Sequence, residues 1–193
     1  YVLAFTESWL RIFPTHPEAL VAILTFLSVF LIVYISAKFA SRTQFIILGI
    51  VGLSLFSVAL ASFPVVGQTG FTETPVFWGG FRAANFWETF AVFFPAVTGI
   101  MVGISMSGSL RSPRKDIPVG TMSAIGVTLL IYLALIYWLS RIASPEELLS
   151  NTTLMVEKAF WGWAILAGML GATFSSALGS LVAAPRVMQA LAS

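Results

Sequence analysis

Two stretches of this sequence hold residue types at spacings that could do chemistry: FFPAVTGIMVG at 93–103 and GATFSSALGSLVAAPR at 171–186. In the first, Pro95 has no N–H and its ring crowds the carbonyl of residue 91, so one helical hydrogen bond is lost. Gly99 adds backbone freedom a few residues later. Over residues 95–101 several carbonyls and amides can then lack helical partners. In hydrocarbon each such group is costly, so the break must face protein, water or a ligand. The half-helix before it would end in carbonyls suited to a cation, and the half-helix after it would begin with amides suited to an anion. The same letters also read as a packing kink, because Gly99 and Gly103 form a GxxxG spacing that lets helices touch.

In the second stretch, Ala172 and Ser175 share a helix face, with Ser176 about 100° round. One carbonyl and two hydroxyls make an oxygen-rich corner of the kind a hard monovalent cation needs. Serines in membrane helices also bond back to their own turn or pack small against a neighbour, and Ser176, Gly179 and Ser180 fit that reading as well.

The elements that must carry these stretches are membrane helices. The 193 residues are 58% hydrophobic and only 9% charged, against about 25% charged in a soluble domain. An all-α integral membrane protein follows, its partner the lipid bilayer. A span needs roughly 20 apolar residues. Spans are expected at about 20–37, 45–63, 86–108 (broken near 95–101), 121–139 and 159–183, with residues 1–10 as the tail of a further one. The chain opens at Tyr1 in mid-apolar sequence and reads as an internal piece of something larger.

Alternate loops separate by charge. Lys38, Arg42, Arg111, Arg114, Lys115 and Arg186 face a single acid, Asp116, on one side. Arg11, Arg82, Arg141 and Lys158 lie among Glu7, Glu18, Glu73, Glu88, Glu146, Glu147 and Glu157 on the other. The positive-inside rule makes the first set cytoplasmic, so the loops near 38–44, 109–120 and after 184 are expected inside. Trp9, Trp78, Trp87, Trp138, Trp161 and Trp163 all fall near the other ends of the spans, as an outer aromatic belt.

Several function classes drop out. With no cysteine there is no disulfide framework or thiol chemistry. A net charge of +2 does not suggest nucleic acid. No Asp, Glu, Lys, Arg or His lies in the middle of a span, where an enzyme or proton-coupled carrier would usually need one. His16, in THPE, reads as a solvated loop residue. No catalytic residue and no cofactor are expected. A ligand held here must be gripped by backbone dipoles, hydroxyls and aromatic rings, which favours a small ion or a zwitterion.

Taken together, FFPAVTGIMVGISMSGSLRSPRKDIPVGT and TFSSALGSLVAAPRVMQAL resemble the cation-chloride cotransporters of the amino acid–polyamine–organocation superfamily, and the opening YVLAFTES resembles that family's third helix. The resemblance implies the centre of an inverted-repeat transporter, from the end of the third helix to the eighth, with a broken sixth helix. It implies that Tyr1, Pro95 and Thr98 hold potassium, that Gly99, Ile100 and Met101 offer amides to chloride, and that Ala172, Ser175 and Ser176 form half of a sodium site. Sodium, potassium and chloride would be cargo, moved by electroneutral symport with alternating access in a plasma membrane. A homodimer is the family expectation.

The Ser175–Ser176 pair separates the chain from the potassium-chloride branch, and Tyr1 from the sodium-chloride branch. The chain departs from the pattern at Ser109, where the family commonly has an acid, and in a short outer loop at 140–158, which suggests a prokaryotic homologue. In such an organism the sequon Asn151-Thr152-Thr153 reads as coincidence. Two rivals stay open: a sodium-coupled amino acid permease of the same fold, and a non-transporting membrane scaffold or accessory subunit.

Overall fold

The computed structural model describes residues 1–63, 71, 73–75, 85–94 and 110–192. In chain order the described helices are α1 (Val2–Ile12), α2 (Glu18–Ile35), α3 (Ala37–Ala61), α4 (Phe86–Phe93), α5 (Pro113–Ile142), α6 (Pro145–Ser150), α7 (Leu154–Lys158) and α8 (Gly162–Ala192). The described residues contain no strand. Among the described residues, four segments are long and apolar enough to cross a membrane: Glu18–Ile35, Arg42–Ala61, Pro113–Ile142 and Gly162–Pro185. The chain divides into two compact units, Tyr1–Phe71 with Ser144–Ser193, and Thr72–Ala143.

In the first unit α3 and α8 form the most extensive pairing, and both α1 and α2 pack against α8. Small residues allow the close approach. A Cβ added at Gly168 would lie 2.7 Å from both Cβ and Oγ of Ser54, and one at Gly171 would lie 3.1 Å from Cγ2 of Ile47. Around this seam Ala40, Ile47, Val58, Ala164, Leu178 and Val182 are buried. A polar clasp locks its end: the Trp161 N–H donates to Ser57 Oγ at 2.7 Å, and that hydroxyl donates to Trp161 O at 3.2 Å. The Phe160 N–H donates to Ser57 O at 3.3 Å. Ser57 is fully buried, and the reciprocal bonds satisfy groups that would otherwise be costly there.

Helix α2 is apolar all round, yet only Val21, Thr25 and Val29 are buried. Their spacing of four selects one stripe for the protein and leaves Ile23, Leu24, Leu27 and Leu31 exposed. A helix of this kind suits lipid on its outer faces.

The helices outrun their apolar stretches, which corrects the expected loops. Residues 38–44 lie inside α3, which starts at Ala37 and is capped by Ser36 accepting from the Phe39 N–H at 3.3 Å. Likewise α5 begins at Pro113, so most of 109–120 is helical, and α8 continues past 184 to Ala192. Hydropathy marks only what hydrocarbon tolerates. Backbone hydrogen bonding has no reason to stop there, because a helix end leaves four carbonyls or amides unpaired wherever it falls.

Segment 140–158, expected as a short outer loop, is mostly helical. Ser144 caps α6 by accepting from the Glu147 N–H at 3.3 Å, with Pro145 in the first turn, where its missing N–H costs nothing. Lys158 pairs with Glu147 at 3.4 Å.

In the second unit, Asn85 and Glu88 close a capping box on α4, bonding each other's backbone N–H at 2.9 Å. Phe93 meets Tyr132 of α5 edge-on, with ring centroids 5.6 Å apart. The Glu73 N–H donates to Arg141 O at 3.0 Å. Trp138 is 4% exposed, unlike Trp87 and Trp163, which are 73% and 61% exposed. The expected belt is therefore mixed, with Trp138 turned inward, since an indole is mostly apolar surface and suits a core as well as an interface.

Candidate ion-binding site

The expected site residues divide by what the structure describes. Pro95, Thr98, Gly99, Ile100 and Met101, the broken-helix half, lie outside the described residues. Helix α4 leads toward them and reaches Phe93. Tyr1, Ala172, Ser175 and Ser176 are described.

Tyr1 is the residue before α1; its carbonyl accepts from the Phe5 N–H at 2.9 Å, and its side chain is half exposed. Phe5, one turn on, packs against Phe174 of α8 with ring centroids 5.8 Å apart and planes at 58°. Ser175 and Ser176 follow Phe174 directly. Tyr1 and the serine pair thus each lie within about one helical turn of the same aromatic contact. Sequence alone could not relate them, because they sit at opposite ends of the chain.

Ser175 continues the stripe of Gly168 and Gly171 that faces α3. Ser176 turns away from it, and its Oγ donates to Ala172 O at 2.9 Å. This back-bond to its own turn is the packing alternative, and it accounts for the hydroxyl's proton. It does not use the lone pairs. The serine oxygen keeps both, whereas the Ala172 carbonyl takes the helical N–H of residue 176 as well as this hydroxyl and has both its lone pairs engaged. The two oxygens lie side by side with the hydroxyl proton directed at the carbonyl, so it is the Ser176 oxygen that has lone pairs left for a cation. Thr173 shows the same habit, its Oγ1 lying 3.0 Å from both Met169 O and Leu170 O.

Two polar devices carried no sequence signal for the reading above. The Ser57–Trp161 clasp joins residues 104 apart. His16, read as a solvated residue, is exposed but engaged: it accepts a hydrogen bond from the Trp9 indole and stacks on Phe13. The hint available was Trp9-x-x-x-Phe13 running into a short turn that carries the only histidine.

Known proteins resemble this chain along most of its length. A family model described as amino acid permease matches residues 2–193. Solute carrier family 12 member 8 of Mus musculus is 29% identical over 163 residues, 80% of this chain and 23% of that protein. Cation-chloride cotransporter 1 of Arabidopsis thaliana is 39% identical over 109 residues, 56% of this chain and 11% of that protein. Solute carrier family 12 member 1 of Homo sapiens is 34% identical over 147 residues, 57% of this chain and 13% of that protein. The chain spans less than a quarter of the length of these relatives. The matches point to a membrane transporter rather than an enzyme. With the family match running from end to end of the described helices, the chain belongs to the amino acid permease family and is similar, within it, to the cation-chloride cotransporters.

Proposed function

We propose that this chain is part of a secondary active transporter that moves sodium and/or potassium together with chloride by alternating access. The observation that carries the reading is the likeness to proteins named for cation-chloride cotransport, 39% identical in the plant case. The free lone pairs of Ser176 Oγ support it, because they suit a cation that draws no counter-charge from the span itself.

In this reading potassium would sit at Tyr1, Pro95 and Thr98, chloride at the amides of Gly99, Ile100 and Met101, and sodium at Ala172, Ser175 and Ser176. The energetics favour joint loading. At an effective dielectric near 20, opposite charges about 4 Å apart attract by about 4 kcal/mol. Potassium and chloride at the two ends of one break would raise each other's affinity by the same factor. The chain near Lys38, Arg42, Arg111, Arg114 and Lys115, most of it helical, would face the cytoplasm of a plasma-membrane protein, and two copies would form the assembly.

A second reading, a sodium-coupled amino acid permease, is favoured by the family description itself. There the amides assigned to chloride would grip a substrate carboxylate.

Radiolabelled rubidium uptake into liposomes holding the full-length protein separates them. Uptake that requires both sodium and chloride is expected. Sodium-driven amino acid uptake without ion-dependent rubidium flux would establish the second reading. Absence of both fluxes, with no thermal protection by any ion, would leave a scaffold.

A further inference from the structure

The turn between α1 and α2 carries the chain's only histidine within a group of aromatic rings. The Trp9 Nε1–H donates to His16 Nδ1 at 2.9 Å. The His16 ring lies 6.1 Å from Trp9 at 22° and 5.4 Å from Phe13 at 20°. Trp9 and Phe13 are themselves 5.0 Å apart, and the His16 N–H donates to Phe13 O at 3.2 Å, closing the turn. The ring run continues inward from Trp9 to Phe5 at 6.0 Å, and from Phe5 to Phe174.

We propose that this turn is a proton-sensitive latch, held shut when His16 is neutral and released when it takes a proton. The indole has only a donor to offer, so the bond exists only while Nδ1 carries a lone pair. In an imidazolium both ring nitrogens carry hydrogens, and two N–H groups cannot face each other across 2.9 Å. The ring must turn away from Trp9. Attraction of the cation to the face of Phe13 offsets part of that loss and gives the displaced ring somewhere to go.

The charges around the turn leave the switch to His16. On α1, Glu7 and Arg11 engage each other at 2.9 Å. On α2, Glu18 lies two residues after His16. Helix α8, which packs against α1, carries no Asp, Glu, Lys, Arg or His between Gly162 and Pro185. Because α1 ends in this turn and also carries Phe5, the latch stands at the C-terminal end of the helix that contacts Phe174.

The test is hydrogen–deuterium exchange of the full-length protein in detergent, read on the peptide covering 9–21. The unaltered protein is compared with Trp9→Phe and His16→Gln from about pH 8 to about pH 5. Taking ratios at each pH removes the intrinsic pH dependence of exchange. At the alkaline end the unaltered turn should exchange about five-fold more slowly than Trp9→Phe, as expected for one neutral hydrogen bond. At the acid end that difference should vanish, while the ratio of Trp9→Phe to His16→Gln stays constant, since glutamine keeps an acceptor without titrating. Protection that persists at the acid end, or that never exceeds Trp9→Phe, overturns the latch. If Trp9→Phe does not fold, a pH-independent ratio of the unaltered protein to His16→Gln overturns it equally.

Discussion

Phe5 of α1 and Phe174 of α8, 169 positions apart in the chain, meet with ring centroids 5.8 Å apart. Between them they register Tyr1 and the Ser175–Ser176 pair. A tilted aromatic pair contributes about 0.5–1.5 kcal/mol beyond its buried area. Phe174→Leu keeps most of the apolar volume and loses the ring geometry. It should lower stability by about 1 kcal/mol in a denaturation series, and should weaken the sodium dependence of rubidium uptake as Ser175 and Ser176 lose their register. Unchanged sodium dependence in a destabilised variant would show that the contact only packs.

Ser57→Ala should be among the most damaging serine substitutions. It removes both bonds to Trp161 at a fully buried serine and leaves the Trp161 backbone N–H without its acceptor. About 1–3 kcal/mol of stability should go, read as a lower thermal midpoint of the purified protein. Ser57→Cys, a weaker but isosteric partner, should recover part of it.

Glycine positions should sort by the space beside them. Gly168→Ala drives a methyl to 2.7 Å from the Ser54 Cβ, which cannot rotate aside, and should cost about 1–3 kcal/mol by parting α3 from α8. Gly171→Ala meets the Ile47 methyl at 3.1 Å, a side chain that can give, and should cost less. Gly49→Ala and Gly52→Ala meet nothing within 4 Å and should be neutral or stabilising, by up to about 1 kcal/mol from helix propensity. Thermal midpoints of the four variants check the order.

Ser176→Ala should weaken sodium dependence and leave folding largely intact. The bond it deletes runs to Ala172 within the same helix, and such back-bonds contribute little to helix stability. Liposome uptake against sodium concentration reads the first effect, and a melting curve the second. A variant that fails to fold would make the hydroxyl structural.

Tyr1→Phe should reduce apparent potassium affinity more than sodium affinity, since only the hydroxyl is removed and the ring remains. Uptake titrated separately with each cation decides it. Equal losses would detach Tyr1 from the potassium site.

Much of the architecture was legible from the order of residues alone. Apolar runs of span length can only be helices in a bilayer, because every backbone group must be satisfied within its own segment. That holds whatever the neighbours are, so all-α membrane character follows from composition and spacing. The oxygen pair of Ala172 and Ser176 was equally local, four residues apart on one helix. Tertiary structure decided the rest. Hydropathy could not place the start of α3 or α5, because helical hydrogen bonding continues beyond the apolar stretch. It could not turn Trp138 inward, bring Ser57 to Trp161, or seat Gly168 on Ser54. Those pairings depend on which faces of the helices meet, and an apolar helix has no polar face to announce its choice. Only the fit of small residues against their neighbours selects it.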